Sequence, residues 1–81
     1  MFWLLIFAAA LGAPRDEFRQ ELAAGPLGAF RECAALAALA VNELNKKHPD
    51  QDFLAACSPA PERRAADRLY SLQELVDLAV R

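Results

Sequence analysis

The chain has 81 residues, 56% of them hydrophobic, and carries a formal charge of −2 from nine Lys or Arg against eleven Asp or Glu. That length allows one domain with a modest core, of the kind that often leans on a disulfide, a metal or a partner. The slightly acidic balance excludes binding that depends on neutralising nucleic-acid phosphates.

Met1 to Ala13, MFWLLIFAAALGA, is apolar throughout. As a helix it would span about 20 Å, short of the ~30 Å hydrocarbon core of a bilayer. It ends in small residues, and Ala8 with Ala10, or Ala10 with Gly12, satisfies the small-x-small rule for signal cleavage. The segment therefore reads as a signal peptide, 1–13, although it carries no Lys or Arg. The competing readings are an uncleaved short anchor and a buried N-terminal helix. On the favoured reading, residues 14–81 form a single small helical domain of a secreted, extracellular protein.

Pro14 suits the first turn of a helix, and Asp16 and Glu17 complement its positive end. Phe18 and Leu22 lie one turn apart, and Gly25-Pro26 stops the run. This predicts a helix over 15–24, followed by a turn through Gly28.

Phe30 to Lys47, FRECAALAALAVNELNKK, is the strongest signal in the chain. It holds no Gly or Pro, is rich in Ala and Leu, and has Val41 as its only β-branched residue, all of which favours helix. Phe30, Cys33, Ala37, Ala40 and Leu44 fall on one side, Leu36 and Val41 widen that stripe, and Leu39 sits away from it. Lys46 and Lys47 complement the C-terminal end. A helix apolar around its middle needs cover on more than one side. The favoured reading is a core helix wrapped by the rest of the chain; the other covers the Ala-rich side with a partner or a lipid, and Phe30, Ala37, Leu39, Ala40 and Leu44 are the expected interaction face.

His48-Pro49-Asp50 reads as a turn that ends this helix. Asp50 can cap a short helix over 51–57, and Ser58-Pro59-Ala60-Pro61 reads as a stiff linker. Cys33 and Cys57 are the only cysteines. In an exported chain an even count points to a disulfide, and the ten residues after the helix are long enough to bring Cys57 back to Cys33. Free buried thiols and pairing to another chain remain the alternatives.

Two readings compete for the remainder. The favoured one is a continuous helix over 62–80, with Leu69, Leu72, Val76 and Ala79 as its inner stripe and Arg63, Arg64, Asp67, Arg68 and Glu74 in water. The other breaks the helix at Ser71, where Ser71 and Glu74 match a capping box and Tyr70 with Leu75 matches a hydrophobic staple. The expected fold class is thus all-α, a small helical hairpin or three-helix arrangement with helices over 15–24, 30–47 and 62–80.

No chemistry is legible in the motifs. His48 has no orienting partner in sequence, the Cys and His spacings match no zinc pattern, and the three glycines form no phosphate loop. We expect no catalytic, metal-ligating or cofactor-binding residues, no nucleic acid partner, and membrane contact only through the export signal. Arg63-Arg64 is a dibasic pair of the kind used in precursor processing.

The run Ala37-Ala38-Leu39-Ala40-Val41-Asn42-Glu43-Leu44-Asn45-Lys46-Lys47 resembles the single long helix of the cystatin and fetuin-type proteins, which carry an A-V-x-E-x-N-K-like stretch. In some fetuin-type domains a cysteine precedes that helix, as Cys33 does here. The resemblance implies that Arg68 to Leu72 corresponds to the family's next strand. The family's Q-x-V-x-G loop and Pro-Trp hairpin have no counterpart, so it implies a truncated relative. The sequence thus leads to a non-catalytic secreted protein that binds a protein partner or an apolar ligand. The alternatives are a truncated cystatin-like protein and a precursor cut at Arg63-Arg64.

Overall fold

A computed structural model describes the whole chain, Met1 to Arg81. The element order is β1 (Phe2–Ala10), a short 3-10 turn (Arg15–Glu17), β2 (Arg19–Leu27), α1 (Phe30–Lys47), β3 (Gln51–Ser58) and α2 (Leu72–Val80). The strands form one antiparallel sheet in the order β2-β1-β3. The fold class is therefore α+β, and the all-α expectation is overturned.

The first segment is the middle strand. Leu4, Ile6 and Ala8 face α1 and share a cluster with Cys33, Ala37, Val41, Phe53, Ala55 and Leu75. Leu5 and Phe7 face the other way and share a cluster with Leu54, Ala56 and Leu69. A strand covered on both faces shows no polar alternation, so its sequence is one continuous apolar run. A signal peptide's hydrophobic region looks the same. The two roles compete for the same residues, because removing the chain up to Ala10 would take out the strand that joins β2 to β3.

Three expected helices are corrected. Over 15–24 the chain makes only a 3-10 turn and then enters β2. Phe18 and Leu22 do not share a face: Phe18 packs on the second cluster, while Leu22 stands opposite Ile6 on the helix side. Over 51–57 the chain is β3, paired along its length with β1. The apolar run Phe53 to Cys57 is too short to hold a helix without tertiary support, and the ladder to β1 pairs the backbone groups along one of its edges. Its other edge is held at one point, where Ala55 and Tyr70 exchange backbone hydrogen bonds of 2.9 and 2.7 Å.

The last helix is shorter than the continuous one expected over 62–80. It begins at Leu72, with Ser71 as its cap. The Glu74 N–H donates to Ser71 Oγ at 3.4 Å, and the Ser71 N–H donates to Glu74 Oε1 at 3.1 Å. Tyr70 and Leu75 pack into the same cluster, as the staple requires. The inner residue of α2 is Leu75, fully buried; Val76 is exposed, and Leu69 lies under the opposite face of the sheet.

The expectation for α1 holds, with the same bounds, Phe30–Lys47. Its hydrogen bonds are local, so its sequence suffices to place it. Cys33 is bonded to Cys57, which ties the first turn of α1 to the end of β3. Two glycines meet a backbone demand. Gly12 has φ +79° in the turn after β1. Gly25 has φ +149°, and a Cβ there would sit 3.0 Å from the Phe2 carbonyl oxygen.

The segment between β3 and α2 is pinned by polar contacts. Asp67, expected in water, is buried. It accepts hydrogen bonds from the Arg64 N–H at 2.8 Å and from the Arg64 guanidinium at 3.2 Å. Burial alone would raise its carboxyl pKa. The Ser58 hydroxyl and the Arg64 groups outweigh that and hold it below the ordinary aspartate value. At the other end, Arg15 donates to the Leu69 carbonyl at 2.7 Å, and Arg68 pairs with Glu74 at 2.9 Å.

Candidate functional site

α1 and α2 lie side by side on one face of the sheet, and the valley between them opens to solvent. It is lined by Ala35, Ala38, Leu39 and Asn42 from α1 and by Leu72, Val76, Ala79 and Val80 from α2, enclosing about 520 Å³. Seven of these eight residues are hydrophobic. Leu39 is 66% exposed, Val76 40% and Val80 74%, so three large apolar side chains face water in one place. The exposed apolar side chains are gathered here rather than scattered singly over the surface.

The small side chains shape the groove. Ala35, Ala38 and Ala79 line its walls, so an incoming backbone could come close. Helical spacing sets Arg31, Glu32, Glu43 and Lys46 beside the α1 wall, and Asp77 near the α2 wall, all exposed. The rim therefore carries both signs, with Arg31 and Lys46 against Glu32, Glu43 and Asp77. Asn42 is the one polar residue lining the groove.

The expected interaction face is divided by the fold. Ala37 is completely buried beneath α1, and Phe30, Ala40 and Leu44 pack at the edge of the main cluster. Phe30 stands edge-on to Phe2 and Tyr70, with ring centroids 5.6 and 6.4 Å away. Of the five residues, only Leu39 reaches the groove. Its position off the main stripe of α1 was the one sequence signal that pointed there. Ala35, Ala38, Val76 and Val80 carried no such signal, because they become a surface only once α2 lies alongside α1.

The other singled-out residues are placed as follows. Cys33 and Cys57 are joined to each other. Arg64 is tied to Asp67, and Arg63 Nε donates to the Asp67 carbonyl at 3.2 Å, so both residues of the dibasic pair fold back onto one turn. A protease that needs this stretch extended would first have to open those contacts. His48 stands at the end of α1 with its ring 6.1 Å from that of Phe53. No helix is long and apolar enough to cross a membrane.

No family model, no curated protein and no solved structure matches this chain. The functional argument therefore rests on the geometry of the groove.

Proposed function

We propose that this is a small non-catalytic binding protein of an oxidising compartment, and that it docks an amphipathic helix of a protein partner in the α1–α2 groove. The observation that carries the reading is the gathering of Leu39, Val76 and Val80 on an alanine-walled valley. A groove between two helices with small walls suits a third helix, whose apolar positions at i, i+3, i+4 and i+7 would fill it. The mixed-sign rim suits a partner helix with both charges on its flanks, whereas a lipid surface would favour a basic rim. The disulfide is weakly consistent with an extracellular location, since such bonds persist where thiols are not kept reduced.

The test uses an amphipathic leucine-lysine-glutamate peptide and a double variant, Leu39→Glu with Val80→Glu. Both positions are exposed, so the fold should survive. Wild type should bind the peptide, and the variant should lose at least about thirtyfold in affinity, the size of one truncated hot spot. Equal binding by both proteins, or dimerisation of the wild type through the same face, would remove the partner-helix reading. The cystatin-type alternative rests on Ala37 to Lys47 alone, and a papain inhibition assay tests it directly.

A further inference from the structure

A second hollow lies on the same face of the sheet, away from the groove. α1 lies over β1 and β3 and only brushes β2. The helix-side face of the sheet is therefore left open at β2, where exposed Leu22 stands opposite buried Ile6. The result is a bowl of about 370 Å³ between β2 and the C-terminal end of α1, with Ile6, Leu22, Leu44 and Phe53 among its lining and His48 at its wall. Leu22 is 49% exposed there, a large apolar side chain with no cover. The volume falls within the range of about 300–1,000 Å³ typical of small-molecule sites.

The rim is what gives the bowl its chemistry. Ile6 pairs with Leu22, but Phe7 pairs with Gln20, so Glu21 is an extra residue in the ladder. In a regular strand Glu21 and Leu22 would point to opposite faces. The bulge breaks that alternation, and both residues line the bowl. Glu21 is in none of the ion pairs, which join Arg15, Arg64 and Arg68 to Asp67 and Glu74. It also borders the adjoining hollow that contains Asp50. The bowl abuts the last turn of α1, the negative pole of the helix. Neither Lys46 nor Lys47 lines either hollow.

We propose that this bowl is a binding site for a small primary amine with an apolar body. The apolar body would cover Leu22 and Leu44, and the ammonium group would face the Glu21 carboxylate. A carboxylate-bearing molecule of the same shape would meet like charge. The site is separate from the α1–α2 groove and does not depend on how that groove is used.

Phenethylamine and hydrocinnamate, a matched amine and acid, test the proposal on the full chain with its disulfide intact. Amide chemical shifts report where each binds. The amine should shift Leu22, Leu44 and Phe53 with a Kd on the order of 1 mM, as suits a ligand of so few atoms. Glu21→Gln should weaken it about fivefold, the worth of one exposed charge contact, and the acid should bind more weakly than the amine. Leu22→Lys, also on the exposed edge strand, should abolish amine binding and carries the test if Glu21→Gln fails to fold. Equal affinity for the two probes, unchanged amine binding in both variants, no shifts at all, or shifts confined to Leu39 and Val76 would each overturn the assignment.

Discussion

α1 and β3 are built from the same letters. One contains Cys33-Ala34-Ala35-Leu36-Ala37 and the other Phe53-Leu54-Ala55-Ala56-Cys57, and a disulfide joins them. One is an 18-residue helix and the other an 8-residue strand. Alanine prefers helix over strand by only tenths of a kcal/mol per residue, which a single ladder can override. What separates the two segments is length and neighbours. α1 is long enough to satisfy its own backbone. β3 lies between the turn at His48-Pro49 and the bend at Pro59, and it gains hydrogen bonds from β1 along its length and from Tyr70 at one point.

The strongest way to break this comparison is to remove the neighbour. A chain lacking residues 2–10 should lose cooperative thermal unfolding, because β2 and β3 touch only through β1. Circular dichroism should then show a weak, partly helical spectrum. A sharp transition with strand signal retained would mean that β3 is not held by β1. The same experiment bears on export, since only a chain that keeps this segment can build the sheet described here.

Next in size is the covalent link between the two segments. Cys33 and Cys57 are 24 residues apart, and closing such a loop is worth about 3.5 kcal/mol in the chain-entropy account. Urea unfolding with and without reductant should show a loss of that order. A loss near zero would place the stability in the packing alone.

Paired substitutions sharpen the contrast between a residue enclosed by the sheet and one in the open groove. Ala55 is fully buried, so Ala55→Leu should destabilise by ~2 kcal/mol through overpacking. Leu39 is mostly exposed, so Leu39→Ala should stay within about 0.5 kcal/mol while weakening any partner in the groove. If the two variants lose equal stability, the groove is part of the core and the proposed function falls.

The cap of α2 is a smaller term. Ser71→Ala should cost ~1 kcal/mol, visible as a lower midpoint of thermal unfolding. The smallest expected effect is with pH. Hydrogen bonds from Ser71, together with the charges of Arg68 and Arg15, outweigh partial burial and hold the Glu74 carboxyl below its ordinary value, and Asp67 is held low as well. A carboxyl with a lowered folded pKa stabilises the protein above its unfolded pKa. That contribution is lost as pH falls through the folded pKa, so stability should decline below about pH 4. Glu74→Gln should flatten that decline, and an unchanged slope would show that Glu74 does not contribute to it.

The bowl and the groove show how little of a site such a sequence reveals. Glu21 falls within the expected helix over 15–24, and no Gly or Pro adjoins it to announce a bulge there. The bulge exists only because the pairing of β2 to β1 slips by one residue between Ile6 and Phe7. Leu39 was visible as an outlier on α1, but the valley it borders needs α2 beside it. The expected continuous helix from Glu62 would have put Leu69, Leu72 and Val76 on one inner stripe. The structure instead sends Leu69 beneath the sheet and leaves Val76 in water.

The residues alone determined the features whose bonds close within a few positions. These are the bounds of α1 and the Ser71–Glu74 cap, which was the less favoured of two readings; the cysteine count made the Cys33–Cys57 bridge the favoured pairing. Tertiary structure decided the three strands, the two faces of β1 and both hollows. Helices and caps satisfy their hydrogen bonds locally, so their signals lie in adjacent letters. A strand satisfies its bonds across the chain, and an apolar run becomes strand, helix or leader according to what lies beside it.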